Sequence, residues 1–273
     1  MEQKNYALAE GAIHYWVQTA GSGRPWLVFL PGLTADHRLF EKQLAAFAGR
    51  YNCLVWDAPA HGASRPFALR FTLQDWADWL HAILQRETDA PRILVGQSMG
   101  GYLAQVYMTR YPQHVRGFVS IDSCPLQRTY YSGWELFLLR HMYGVYAAIP
   151  WRLLLDWGTS GCARTPYGRA LMRQMMQSYD KTSYCALAAY GYRMLAQAVQ
   201  AGVSYTIPCP VQLLCGEFDA AGSAKRYNDR WARRTGYPLL WVPQAGHNSN
   251  TDAPDFVNQV LVDFGERTLG ANR

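Results

Sequence analysis

The sequence lacks the features of a membrane-spanning or secreted protein. It has no run of about 18 uncharged apolar residues, the length that a membrane helix needs. Its most apolar region, Trp134 to Trp157, is interrupted by Glu135, Arg140, His141, Arg152 and Asp156. The start, Met-Glu-Gln-Lys-Asn-Tyr, lacks the basic segment and apolar run of a secretory signal. We therefore expect no membrane span and a cytoplasmic location.

Paired cysteines and basic runs are also missing. None of the six cysteines forms a Cys-x-x-Cys pair or has metal-ligand spacing with a histidine. We expect reduced, mostly buried thiols and no metal site. The formal net charge is +6, but no cluster of basic residues with interleaved aromatic residues accompanies it. The sequence therefore argues against a nucleic-acid partner.

Short apolar runs are typical of strands in an α/β protein. Trp26 to Leu30 is a continuous apolar run that ends at Pro31-Gly32, which favours a buried parallel strand. The other predicted strands are Ile13 to Val17, Cys53 to Trp56, Ile93 to Val95, Phe118 to Ile121, Val211 to Cys215 and Leu239 to Val242.

Two segments between or after these strands have clear helical spacing. One apolar face runs from Leu73 to Leu84, and Thr72 is its predicted N-terminal cap. A second face runs from Phe256 to Phe264, with Asp252 as its predicted cap and Pro254 in its first turn. Alternation of strands and helices predicts a parallel sheet covered on both faces.

Residues 124–207 interrupt the alternation, because they show helical spacing and no convincing strand. This segment has eight basic and three acidic residues, so a surplus of five positive charges lies in it. We predict a helical cap (lid) over residues 124–207, inserted into a core of residues 1–123 and 208–273.

The motif Gly96-Gln97-Ser98-Met99-Gly100 lies between a predicted strand and a helical segment. A nucleophile on a sharp strand-to-helix turn needs neighbours without side chains, because backbone and helix pass close to it. The first turn of the helix also offers free N–H groups to an oxyanion. Ser98 is therefore the predicted nucleophile.

A serine needs a base and an orienting acid. His247 is the single histidine beyond the insertion, in a loop after a predicted strand, and is the predicted base. Asp219 follows the strand that ends near Cys215, and the chain order of serine, acid and histidine favours it as the acid. Asp122, after the strand Phe118 to Ile121, remains the alternative.

Two backbone N–H groups are needed for the tetrahedral oxyanion. One should come from the residue after the nucleophile, Met99, and the other from the earlier strand-to-helix loop, at Leu33. Gly32 would let that loop approach closely, although a Pro-Gly pair is also common in ordinary turns.

Five segments together resemble the α/β-hydrolase superfamily, in its serine-nucleophile, cap-containing, esterase-like branch. They are Pro31-Gly32-Leu33, Asp57 to Ser64, Gly96 to Gly101, Gly216 to Asp219 and Gly246-His247. The resemblance implies a mostly parallel eight-stranded sheet with helices on both faces and a helical cap after strand six. It also implies Ser98, Asp219 and His247 as a triad, with Leu33 and Met99 as oxyanion donors. Many members have His-Gly where this chain has Pro31-Gly32, which leaves only a backbone role there.

We expect hydrolysis of a small or medium carboxylic ester through an acyl-enzyme, without metal or organic cofactor. Two alternatives remain open: a carbon–carbon bond hydrolase acting on a vinylogous diketone, and a small-molecule receptor without catalysis. The basic, aromatic insertion suggests an apolar substrate with an anionic group. The sequence is compatible with a monomer or a homodimer.

Overall fold

The protein, described over residues 1–270 by a computed structural model, is built around one eight-stranded sheet. The strands are β1 Glu2–Leu8, β2 Gly11–Gln18, β3 Trp26–Leu30, β4 Asn52–Trp56, β5 Arg92–Gln97, β6 Val115–Ile121, β7 Val211–Gly216 and β8 Leu239–Val242. Their order across the sheet is β1-β2-β4-β3-β5-β6-β7-β8. Strands β1 and β2 are antiparallel to their neighbours, and all other pairs are parallel. The predicted mostly parallel sheet is confirmed.

The sequence interpretation found seven of the eight strands and missed β1. This strand lies at the edge of the sheet and pairs only with β2, along its full length. Its residues, Glu-Gln-Lys-Asn-Tyr-Ala-Leu, alternate between exposed and half-buried positions, and none is fully buried. An edge strand with so little apolar surface gives no hydrophobic pattern to detect.

Eleven α-helices of the described chain pack around this sheet. They are α1 Glu41–Phe47, α2 Leu73–Glu87, α3 Met99–Arg110, α4 Gly133–Arg140, α5 Met142–Ala148, α6 Trp151–Cys162, α7 Pro166–Gln177, α8 Lys181–Gln200, α9 Ala224–Thr235, α10 Ser249–Asp252 and α11 Pro254–Gly270. Helices cover both faces of the sheet, as expected.

One predicted helix cap is confirmed and the other is wrong. Thr72 caps α2 and forms a reciprocal capping box with Asp75. Asp252 is the last residue of α10 and does not cap α11, which begins at Pro254. Its carboxylate instead accepts hydrogen bonds from the backbone N–H groups of Gly246, Arg164 and Thr165. Asp252 therefore joins the loop after β8 to the insertion.

The segment between β6 and β7 is helical, as the sequence predicts. Five helices, α4 to α8, lie in residues 124–207 and no strand occurs there. Within residues 1–270, no helix is both long and apolar enough to cross a membrane. All six cysteines, which fall in the described part of the chain, are free thiols, and four of them are buried.

The order of the strands decides where chemistry can occur. Strands β5, β6, β7 and β8 are consecutive and parallel, so their carboxyl ends meet at one edge of the sheet. The loops after these strands carry Ser98, Asp122, Asp219 and His247.

Candidate active site

Ser98 lies on a sharp turn between β5 and α3. Its backbone has φ 49° and ψ −115°, a left-handed conformation that a residue with a side chain rarely adopts. The turn is held by two backbone hydrogen bonds: Ser98 N–H donates to Ile121 O at 2.9 Å, and Gly101 N–H donates to Ser98 O at 2.9 Å. The fold therefore stabilises a conformation that costs about 1–3 kcal/mol locally.

Close backbone contacts explain the glycines of the motif. A Cβ atom on Gly100 would lie 1.9 Å from the carbonyl oxygen of Leu30. A Cβ atom on Gly96 would lie 2.6 Å from the backbone of Gly100 and Gly101. Because these neighbours are backbone atoms of β3 and α3, they cannot move aside without disturbing the sheet. The turn requires glycine at both positions.

The structure brings three of the predicted site residues into a hydrogen-bonded row. Nε2 of His247 lies 2.9 Å from Oγ of Ser98, and Nδ1 of His247 lies 2.9 Å from Oδ2 of Asp219. Oδ1 of Asp219 accepts the backbone N–H of Ala221 at 2.8 Å, which orients the carboxylate. This is the geometry of a nucleophile, a base and an orienting acid.

The surroundings of His247 tune its proton affinity. Burial disfavours the charged imidazolium, but the charge of Asp219, its hydrogen bond and the nearby Asp122 outweigh burial. Together they raise the pKa of His247 above its ordinary value of 6.5. The imidazole is therefore a stronger base than a free histidine, and its protonated form is stabilised.

Asp122, the alternative acid, lies close to Asp219 but does not contact His247 by a hydrogen bond. Its oxygens accept the N–H of Gly216, the N–H of Ser249 and the hydroxyl of Ser249, each at 2.8 Å. Burial and the charge of Asp219 raise the pKa of Asp122 above its ordinary value. The Ser249 hydroxyl also lies 3.2 Å from Gly246 O, so it can donate there when Asp122 is protonated. Asp122 therefore holds the strand ends together in either charge state.

The two predicted oxyanion donors have free N–H groups. Within residues 1–270, neither the Leu33 nor the Met99 N–H donates a hydrogen bond to a protein acceptor. Met99 is the first residue of α3, where the helix supplies no acceptor. A Cβ atom on Gly32 would lie 2.3 Å from Oε1 of Gln97 and 3.1 Å from Cβ of Ser98. Gly32 thus allows the Leu33 loop to lie against the nucleophile turn.

Helix α8 of the insertion passes directly over this loop. A Cβ atom on Gly191, in the middle of α8, would lie 2.4 Å from Cδ1 of Leu33. The insertion therefore packs against the candidate oxyanion loop.

Sequence reasoning missed two polar side chains that support the site. Nε2 of Gln97 donates to the His247 carbonyl at 2.8 Å and to Oδ1 of Asn248 at 3.2 Å. Oγ of Ser123 donates to the Ser98 carbonyl at 2.7 Å. Gln97 was visible as a buried amide within the serine motif, whereas no sequence signal points to Ser123.

Two groups of side chains have oxygen, nitrogen or sulfur atoms close enough to share a cation. They are Asp36, His37 and Asp57, and Asp122, Cys215 and Asp219. In the first group the carboxylates are bonded to Arg38, His37 and backbone N–H groups. In the second they are bonded to His247, Ser249 and backbone N–H groups. Protein partners thus already use these oxygens.

Several basic residues of the insertion are engaged with other groups of the insertion. Arg173 pairs with Asp156, Arg169 donates to Ala163 O and Lys181 donates to Ala147 O. Arg164 lies beside the His247 loop, because a Cβ atom on Gly246 would lie 3.4 Å from Cγ of Arg164. The Arg164 guanidinium lies over the Phe218 ring, 4.2 Å from the ring centroid.

Comparisons with known proteins identify a family and several similar proteins. A sequence model of the alpha/beta hydrolase family matches residues 27–260. The magnesium-chelatase 30 kDa subunit of Rhodobacter capsulatus is 29% identical, over 94% of this chain and 92% of that protein. The (E)-2-((N-methylformamido)methylene)succinate hydrolase of Acinetobacter baylyi is 24% identical, over 93% of this chain and 94% of that protein. A malate-bound thermophilic esterase from Thermogutta terrifontis has a similar structure, with TM-score 0.80 at 19% identity over 98% and 99% of the two chains.

Proposed function

The chain belongs to the alpha/beta hydrolase family, and we propose that it is a serine hydrolase that cleaves a small or medium carboxylic ester through an acyl-enzyme. One observation carries this proposal, the row of contacts from Ser98 through His247 to Asp219. We propose residues 124–207 as the cap over this site.

In the first half of the reaction, Oγ of Ser98 attacks the acyl carbon and its proton passes to Nε2 of His247. Asp219 holds the other ring nitrogen and stabilises the imidazolium. The N–H groups of Leu33 and Met99 bind the oxyanion that forms. His247 then gives the proton to the leaving alcohol, and the acyl group stays on Ser98.

In the second half, water takes the place of the alcohol. His247 removes a proton from the water, the resulting oxygen attacks the acyl carbon, and the acid leaves as Ser98 regains its proton. The raised pKa of His247 suits both steps, since the same group must accept and return a proton.

An anionic group on the substrate is the finer part of the proposal. The name of one similar protein contains succinate, and a similar esterase structure has malate bound; both molecules are dicarboxylates. Arg164 is the basic residue of the insertion beside the His247 loop, so we propose it as the group that favours an anion.

The proposal is tested by hydrolysis of p-nitrophenyl butyrate by the wild type, Ser98→Ala and a matched control, Ser160→Ala. Ser160 is an exposed serine on α6 whose hydroxyl bonds only within its own helix. We expect activity in the wild type and the control, and a loss of roughly 10⁶-fold in Ser98→Ala. All three should give the same circular dichroism spectrum.

A fluorophosphonate probe tests the nucleophile without a choice of substrate. Mass spectrometry should find the probe on Ser98, and His247→Ala should slow labelling strongly because the serine then lacks its base. Folded protein that neither labels nor hydrolyses esters would refute the proposal and favour a receptor. Labelling without ester turnover would favour the carbon–carbon hydrolase.

A comparison of an anionic and a neutral ester tests the proposed preference for an anionic substrate. The p-nitrophenyl hemisuccinate and butyrate esters have acyl groups of equal carbon number and differ by one carboxylate. If Arg164 pairs with that carboxylate at an exposed site, Arg164→Gln should lower kcat/KM for the hemisuccinate by about two- to fivefold and leave the butyrate unchanged. Equal rates on both esters in the wild type would refute the preference.

A further inference from the structure

The outer side of helices α4, α5 and α6 exposes many large apolar side chains. Seven of them occur within 24 consecutive residues, and we call them the apolar face. They are Trp134, Phe137, Leu138, Tyr143, Val145, Leu153 and Trp157. Trp134 is 65% exposed and Trp157 is 59% exposed, although tryptophan is usually well buried. Clustered apolar exposure of this kind marks an interaction surface.

The residues of the apolar face lie on three helices that follow one another in the chain. On α4, Trp134, Phe137 and Leu138 follow helical spacing, and the rings of Trp134 and Phe137 stack with centroids 5.3 Å apart. Helix α5 begins two residues after α4 ends, and both pack their other side on α8. Helix α6 begins three residues after α5 ends and packs on α7. Helices α4 and α5 thus share a layer over α8, and α6 follows them directly in the chain.

The charges around the apolar face are mainly positive. Its two acidic neighbours are paired with arginines, Glu135 with Arg226 and Asp156 with Arg173. Arg140 and Arg152 are exposed within the same helices, and neither forms an ion pair within residues 1–270. The Arg140 guanidinium donates a hydrogen bond to the neutral side chain of Gln200 on α8. The whole insertion carries a surplus of five positive charges.

Exposed aromatic residues together with arginines that lack a carboxylate partner match the chemistry of an anionic lipid surface. Tryptophan and tyrosine prefer the interface between lipid and water, and anionic headgroups attract arginine. Amphipathic helices with this composition lie in the plane of the interface. A second copy of the chain is a poorer match, because two faces with the same positive surplus would repel each other.

We propose that the apolar face docks this protein peripherally onto an anionic phospholipid surface. Helices α4, α5 and α6 lie in the interface, with the aromatic rings at headgroup depth and Arg140 and Arg152 on the headgroups. This role is independent of the proposed hydrolase activity. It also fits the position of α5, because Tyr143 and Val145 face outward while Tyr146 lies beside Tyr192 of α8.

Co-sedimentation with vesicles tests the proposal. The full chain is mixed with vesicles of phosphatidylcholine alone, or of phosphatidylcholine with phosphatidylglycerol, at low and at high salt. We expect binding that needs phosphatidylglycerol and weakens with salt. Replacing Arg140 and Arg152 by glutamine should weaken binding by about fivefold per charge removed.

Matched aromatic variants distinguish vesicle binding through the apolar face from nonspecific binding through exposed aromatic residues. Trp134→Ser with Phe137→Ser should weaken vesicle binding at least tenfold, since two interfacial rings are removed. The control is Phe218→Ser with Trp241→Ser, which removes two exposed aromatic residues of the core and should bind as the wild type does. These side chains are exposed, so both variants should fold, which circular dichroism checks.

Three results would overturn the proposal. One is no binding to either kind of vesicle. Another is an equal loss of binding in the control variant. The third is a dimer in sedimentation velocity that Trp134→Ser with Phe137→Ser dissociates, without vesicle binding by the wild type, because a second copy would then cover the apolar face.

Discussion

Replacement of Gly191 by alanine tests whether the insertion positions the oxyanion loop. The new Cβ atom would lie 2.4 Å from Cδ1 and 2.8 Å from Cδ2 of Leu33, well inside van der Waals contact. The Leu33 side chain must therefore shift, and the prediction is that its backbone N–H, a proposed oxyanion donor, shifts with it. Loss of one such donor typically costs about 10²–10³ in kcat. Because a displaced donor is not a lost one, we expect kcat to fall by roughly 10- to 100-fold.

The effect of this substitution on stability combines two opposing terms. Alanine favours the helix over glycine by about 0.8–1 kcal/mol, whereas overpacking of a core costs about 1–3 kcal/mol. The free energy of unfolding should therefore fall by up to about 2 kcal/mol. Gly144→Ala in α5 is the matched control, since its Cβ would meet no atom within 4 Å. The free energy of unfolding of this control should rise by the helix-propensity difference alone, and the control should keep full activity.

A double variant shows whether Leu33 carries the effect. Steady-state kinetics on p-nitrophenyl butyrate and urea unfolding are measured for Gly191→Ala, Leu33→Ala and both together. Removing the Leu33 side chain makes room for the new methyl group, so the double variant should recover most of the kcat lost by Gly191→Ala. Additive losses in the two variants would refute a steric link between α8 and the oxyanion loop.

Three further predictions concern the triad and its support. Asp219→Asn should lower kcat by about 10⁴, as expected when an orienting acid no longer selects the histidine tautomer, whereas Asp122→Asn should cost about tenfold or less; the reverse order in steady-state kinetics would make Asp122 the acid. The value of kcat/KM should decrease as the pH is lowered through the pKa of His247, because this histidine must be neutral to act as a base. The apparent pKa of this decrease should exceed 6.5, since the pKa of His247 is raised; an apparent pKa under 6.5 would contradict the electrostatics. Gly100→Ala should abolish folding or lower the melting temperature sharply, because its Cβ would lie 1.9 Å from Leu30 O; a wild-type melting curve would contradict the close contact.

Much of the fold is visible in the sequence because it depends on local and periodic features. Apolar runs such as Trp26 to Leu30 mark buried strands, since both faces of a parallel strand are covered. The cap at Thr72 marks the start of α2, and the spacing of Leu73 to Leu84 covers all of this helix except its last three residues. The edge strand Glu2–Leu8 escapes this reasoning, because its stability comes from pairing with β2 and not from burial of its own side chains.

The candidate site was predictable where residue type and chain order carry the information. The serine motif with its glycines requires a tight turn, and the order of Ser98, Asp219 and His247 along the chain follows from the order of parallel strands. The choice between Asp219 and Asp122 as the orienting acid depends on distances that the sequence does not contain. Both follow neighbouring parallel strands, so only the distances show that Asp219 bonds to His247 and Asp122 to Ser249.

The sequence by itself determined the chemical groups, the alternation of strands and helices, and the helical insertion, because each is a property of local pattern. Only the tertiary structure decided what the insertion contacts. Gly191 lies against Leu33, and the Asp252 carboxylate at the end of α10 accepts a hydrogen bond from the Arg164 N–H. The two residues of each pair are far apart in the chain. Such contacts depend on the packing of whole helices against one another, which leaves no trace in the spacing of a single segment. The outward position of Trp134 and Trp157 was decided in the same way.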